Sequence, residues 1–225
     1  MSESVRVLSG GAAQGLVESV RGSFPHGIEG TFGAVGAMRD RLLKGEPADV
    51  MILSRALIDA LAADGHVRAD SVRDLGTVET AIAVRTGDVP PDVSGRDALR
   101  AALGAASAIH FPDPEQATAG IHFAKVMREF GVWDEAASRL RPAPNGATAM
   151  RALAADASPR PIGCTQATEI LSTPGIVLVA PLPAGCELAT VYTAAVTAKS
   201  AASAASRALI DRLATAPGKK RLGFN

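Results

Sequence analysis

Val5-Arg6-Val7-Leu8-Ser9-Gly10-Gly11-Ala12 and Ile28-Glu29-Gly30-Thr31-Phe32-Gly33-Ala34-Val35-Gly36 open the chain with one device used twice. In each, a short apolar run breaks at a glycine-bearing turn and passes into a helical pattern. In the first helix Leu16, Val20 and Phe24 share a face; in the second Met38, Leu42 and Leu43 do. A strand, a tight turn and a helix start together present backbone N–H groups with no intrahelical partner. Ser9, Gly10, Gly11 and Ala12, with Gly33, Ala34 and Val35, are therefore candidates to hold a small anion. The bland alternative is a plain turn that needs glycine for backbone shape alone.

Outward from this pair the alternation continues. Glu46-Pro47-Ala48-Asp49 turns into a third apolar run, 50–53, and Ser54 is placed to cap a helix bearing Leu57, Ile58 and Leu61. Repeated strand–helix alternation predicts βαβ units, a parallel sheet and an α/β fold. Further strands are expected at 80–84, 108–111, 176–180 and 191–197. Helices are expected at 96–103, 121–130, 133–140, from Asn145-Gly146 to 154, at 167–171 and at 201–215. Ile162-Gly163-Cys164 is a short apolar run, and the tail 218–225 offers Leu222 and Phe224 for docking.

Lys+Arg and Asp+Glu balance at 23 each in 225 residues, so no bulk field favours nucleic acid or an anionic membrane. With 4% aromatic residues the chain has little to stack bases on. No apolar run reaches the roughly eighteen residues that membrane insertion needs. Cys164 and Cys186 lack zinc-ligand spacing and read as reduced thiols, and neither a metal nor a cofactor is expected. Met1-Ser2-Glu3-Ser4 leads straight into the first strand without a signal-peptide pattern, so the expected location is cytoplasmic. A trimmed leader would instead make it periplasmic, with an ABC permease as a partner.

The remaining candidates lie further along. Thr118 and Ala119 stand at a helix start, where an N-cap and a ligand-facing N–H coincide. Asn145 and Gly146 begin the next helix and equally fit a turn. Thr165 and Gln166 follow a buried run, a usual place for ligand-facing polar groups. His110, inside a strand, is either a satisfied core histidine or a base and carboxylate acceptor. His122, His26 and His66 are weaker candidates. Arg39 is either a carboxylate clamp or a solvated helix residue, and Asp49 is read as structural. Glu169 is either a base or a residue favoured by the start of its helix.

These residues resemble a family. The opening strand-and-turn segments, Gly45-Glu46-Pro47-Ala48-Asp49-Val50, Asp113-Pro114-Glu115 with Ala119-Gly120, and Gly131-Val132-Trp133-Asp134 are similar to the type 2 periplasmic binding proteins, specifically the molybdate-binding group. The resemblance implies two α/β lobes, 1–79 with 194–225 and 80–193, joined by crossing strands at 80–84 and 191–197. It implies a ligand cleft between the lobes and closure on a small anion. The family's oxyanion serines fall here on Ala12 and on Ala34 or Val35, and its lobe-two tyrosine on Cys164. Losing three side-chain donors costs on the order of 1–3 kcal/mol each, which shifts the expected ligand from molybdate to an organic carboxylate. The segment Ile162-Gly163-Cys164-Thr165-Gln166-Ala167-Thr168-Glu169 resembles a divergent branch that includes isomerases of unsaturated polycarboxylates such as aconitate. That keeps a cytosolic isomerase open as the alternative.

Overall fold

The computed structural model describes residues 4–225; Met1, Ser2 and Glu3 of the leader reading lie outside it. In chain order the strands and helices are β1 (Val5–Gly10), α1 (Gln14–Arg21), β2 (Ile28–Gly33), α2 (Val35–Leu43), β3 (Val50–Ser54), α3 (Arg55–Ala63) and β4 (Arg73–Arg85). There follow α4 (Arg96–Ala105), β5 (Ile109–Pro112), α5 (Thr118–Glu129), α6 (Val132–Glu135), β6 (Leu140–Ala143), α7 (Gly146–Ala155), β7 (Ile162–Gln166), α8 (Ala167–Leu171), β8 (Ile176–Pro181), β9 (Ala189–Val196) and α9 (Ser203–Ala214). The chain forms two compact units, one of Met1–Val78 with Thr190–Asn225, the other of Glu79–Ala189.

In the first unit β1 pairs in parallel with β2 and β3, and β9 runs antiparallel to β3. The sides of β3 explain its apolar run: Val50, Met51, Ile52 and Leu53 are all fully buried, as in a strand covered on both faces. Asp49 fastens the start of this strand. Its carboxylate accepts from the Arg6 backbone N–H at 2.9 Å, from Arg6 Nε at 3.0 Å and from Ser200 Oγ at 2.9 Å. Burial pushes the Asp49 carboxyl up, but these bonds outweigh it and hold it below the ordinary carboxylate range. The tail docks as a short 3-10 turn, Lys219–Leu222, followed by buried Phe224. Asn225 closes it with a reciprocal pair of backbone bonds to Thr77, both 2.8 Å.

In the second unit β4 lies between β7 and β8, antiparallel to both, while β5 pairs in parallel with β6 and β7. Leu99, Leu103, Phe111, Phe123 and Met127 fill the core on one side of this sheet. Trp133 packs edge-on to Phe111, ring centres 6.0 Å apart, under the Arg128 guanidinium. On the other face α7 rests on Gly163, where an added Cβ would come within 2.6 Å of Leu153 and 2.7 Å of Met150.

Two expectations are corrected. The helix expected at 133–140 ends early, as α6 and a 3-10 turn, because Leu140–Ala143 leaves to form β6. This is a four-residue strand at the sheet margin, where Pro142 and Arg141 are tolerated. The strand expected at 80–84 is much longer, since β4 starts at Arg73. Cys164 and Cys186 are both free thiols.

Candidate functional site

In the first unit the carboxyl ends of β1, β2 and β3 lie side by side and each passes directly into a helix. Open α/β sheets bind ligands at such ends. β1 leaves through Gly10 into a 3-10 turn, Gly11–Ala13, and β2 leaves through Gly33 to Ala34, the N-cap of α2. Neither start has a side-chain cap, so first-turn N–H groups are the donors these loops carry. The Ser9 hydroxyl is fully buried and donates to the Gly10 carbonyl at 2.9 Å, which leaves it committed to the chain. Ala12, Ala34 and Val35 are buried beside these turns. Gly10 is required by space: an added Cβ would stand 2.7 Å from Val35 Cγ1 and 3.1 Å from Tyr192 Cε1.

Tyr192, which sequence reasoning left aside, and Ser54, which it read only as a helix cap, are residues of this edge. They are register partners across β3 and β9, and the tyrosine ring reaches Gly10. Tyr192 is the sole tyrosine of the chain, a compositional signal that could have singled it out. Ser54 does sit at the N-cap of α3, but its side chain makes no capping bond.

In the second unit the corresponding ends are those of β5, β6 and β7. After β5, Asp113 Oδ1 accepts the N–H groups of Glu115 (2.7 Å) and Gln116 (2.9 Å). The N-cap of α5 is Ala117, and Thr118 is the first helical residue. Its next turn lies so close to this loop that a Cβ on Gly120 would fall 2.2 Å from the Asp113 carbonyl oxygen. After β6, Asn145 caps α7 in the ordinary way, its side chain accepting the Thr148 N–H at 2.9 Å.

After β7 the Thr165 hydroxyl, fully buried, donates to Glu169 Oε2 at 2.6 Å. The Glu169 carboxyl is buried as well and also accepts backbone N–H groups of Ala147 and Gln166. Burial pushes it up to about 6 despite those three bonds. Two buried hydroxyls stand near this strand end: Thr80, register partner of Gln166, and Thr168. Neither has a hydrogen-bond partner among the described residues.

His110 is placed elsewhere. Its Nε2 lies 2.7 Å from Asp156 Oδ2. Asp156 is the C-cap of α7, whereas Asn145 and the Glu169 carboxylate sit at its start. Ten residues of helix, about 15 Å, separate the two ends. Burial pushes the Asp156 carboxyl up, but hydrogen bonds from Ser158 and His110 outweigh it and hold it at about 2. His122 is engaged with the Cys186 carbonyl at 2.8 Å, and Arg39 with its neighbour Asp40 at 2.7 Å. Among the described residues no group of three His, Cys, Asp or Glu side chains is placed to hold a metal ion, and no helix is long and apolar enough to cross a membrane.

Comparison with known proteins agrees with this architecture. The sequence pattern of the family described as bacterial extracellular solute-binding protein matches residues 12–223. An aconitate isomerase from a Pseudomonas species is 31% identical across 97% of this chain and 85% of its own. The periplasmic molybdate-binding protein of Azotobacter vinelandii superposes with a TM-score of 0.81, at 17% identity, over 98% of both chains. The sulfate-binding protein of Mycobacterium tuberculosis does so with a TM-score of 0.76, at 17% identity, over 99% of this chain and 86% of that one. These superpositions establish the type 2 periplasmic binding protein fold.

Proposed function

The chain belongs to the bacterial extracellular solute-binding protein family, and from that premise we propose that it binds a small organic carboxylate in preference to molybdate. The observation that carries this reading is the donor set at the ends of β1 and β2. It consists of first-turn amides beside Ala12, Ala34 and Val35, and the Ser9 hydroxyl is spent on the Gly10 carbonyl. A carboxylate has one charge spread over two oxygens in a plane, and a few N–H groups saturate it. A desolvated tetrahedral dianion needs donors around four oxygens and leaves charge unpaired when hydroxyls are missing. Calorimetry against mono-, di- and tricarboxylates, molybdate and sulfate tests the proposal. Binding of a carboxylate with no heat from the oxyanions is expected; tight molybdate binding would overturn it.

A second reading, an isomerase of unsaturated polycarboxylates, is favoured by the 31% identity to aconitate isomerase across nearly the whole chain. Such a reaction moves a proton between carbons of an allylic system, and a base near neutrality serves it. Incubation with cis- and with trans-aconitate, followed by proton NMR, decides it: interconversion supports the enzyme, and silence across the carboxylate panel removes it.

A further inference from the structure

The start of α7 carries a donor set that the chain fills with its own side chains. Asn145 takes the Thr148 N–H, and the Glu169 carboxylate takes that of Ala147, together with the Gln166 N–H and the Thr165 hydroxyl. Room for this carboxylate is made by Gly146, where a Cβ would stand 1.8 Å from Glu169 Oε2 and 2.1 Å from Thr165 Oγ1. Gly146 is not among the glycines with positive φ, so its missing side chain serves space and not backbone shape. A glycine, a threonine and a glutamate thus fit one another around one buried anionic group. Its partners are neutral. On the elements packed against α8, Arg151 of α7 is exposed and bonded to Thr148 Oγ1, Cys164 of β7 is kept neutral by burial, and β8 carries no titratable residue.

We propose that Glu169 is a resident anion, a specificity-determining carboxylate that occupies the amino end of α7 and keeps a solute's own carboxylate or oxyanion out of that position. A helix start is otherwise a ready anion site, because its amides and dipole both favour negative charge. With Glu169 seated there, a second anion meets like charge at short range in a desolvated place and finds the amides taken. The selectivity part of this inference rests on the anion-binding reading above; the seating of Glu169 does not.

Three measurements test it. In wild-type protein, the Ala147 and Gln166 amide signals should move together as pH is taken from about 4.5 to 8, with one shared midpoint, and the movement should vanish in Glu169→Gln. Glu169→Ala, which vacates the position, should gain a saturable rise in Tm with formate beyond any that wild type shows. The same variant should give measurable sulfate binding in calorimetry, where wild type gives no heat. Amides that titrate independently or not at all, or a folded Glu169→Ala variant no more responsive to formate than wild type, would overturn the seating. A variant that gives no sulfate heat either would overturn the selectivity. Should Glu169→Ala not fold, the wild-type amide titration decides. Wild type that binds no carboxylate would sink the proposed function while leaving the amide and formate results standing.

Discussion

Glu169 gives the structure its clearest thermodynamic signature. Its carboxyl is held at about 6 where a solvated one sits near 4.5, so the folded protein binds this proton more tightly than the unfolded chain. The stabilising proton is present in full below pH 4.5, and its contribution is lost as pH rises through about 6. At about 1.4 kcal/mol per pH unit the interval amounts to about 2 kcal/mol. In a chain of 225 residues that corresponds to a Tm difference of about 4–8 °C. The perturbation is Glu169→Gln, which keeps an acceptor for the Ala147 amide and cannot ionise. Trp133 is the sole tryptophan and lies in the same unit, so urea unfolding followed by its fluorescence reports on the relevant core. Between pH 4.5 and 8 the stability of wild type minus that of the variant should fall by about 2 kcal/mol. Other groups cancel in the difference, and Asp156 titrates well below this window. A flat difference would refute the buried, singly ionising carboxyl on which the reasoning stands.

Gly146→Ala should cost about 3 kcal/mol in urea unfolding, from forced displacement of Glu169 and Thr165. Combined with Glu169→Ala the cost should be less than additive by about 1 kcal/mol or more, and strict additivity would separate the two residues. Thr80→Val removes a buried hydroxyl without a partner among the described residues, so the ligand-free protein should gain about 1 kcal/mol. Carboxylate affinity measured by calorimetry should fall in the same variant; unchanged affinity takes Thr80 out of the site. His110→Ala should lose about 2 kcal/mol of stability with carboxylate affinity intact, and lost binding in a stable variant would return His110 to the site. Wild type should lose stability as pH falls from 3.8 through about 2, and Asp156→Asn should lack that component in acid denaturation.

The first unit was written plainly in the sequence because its elements are local. The runs Val5–Gly10, Ile28–Gly33 and Val50–Ser54 are apolar, broken by small residues and followed by helical periodicity, and each lies where the pattern puts it. The reading weakened where structure depends on distant partners. β6 is a strand because β5 offers it a parallel edge, which the sequence Leu-Arg-Pro-Ala does not announce. Tyr192 reaches Gly10 because β9 returns to β3 from far along the chain. The polar candidates could be named from the sequence, but their hydrogen-bond partners were not readable in it. Only the fold shows Thr165 turned to Glu169 and His110 tied to Asp156.

Those commitments narrow what the second unit can offer a ligand. Both ends of α7 are occupied, its start by Asn145 and Glu169 and its finish by the Asp156 bond to His110. α8 is a five-residue helix whose first amide region is shared with the same carboxylate. α5 differs. It runs twelve residues from an alanine N-cap, so no side chain competes for its opening N–H groups at Thr118 and Ala119. Gly120 holds that turn against the β5 loop, and the Asp113 side chain secures the loop from its far side. A rigid helix start with uncommitted donors is what an anion requires. We therefore propose that carboxylate binding in the second unit rests on Thr118 and Ala119 and not on Asn145 and Thr165. Thr118→Pro, measured against Thr118→Val, tests this: both lack the hydroxyl, and proline, tolerated at a first helical position, also removes the N–H. Carboxylate affinity should drop about tenfold with stability nearly unchanged, the expected effect of losing one charge-assisted bond. Unaltered affinity would return the search to Thr80 and Thr168.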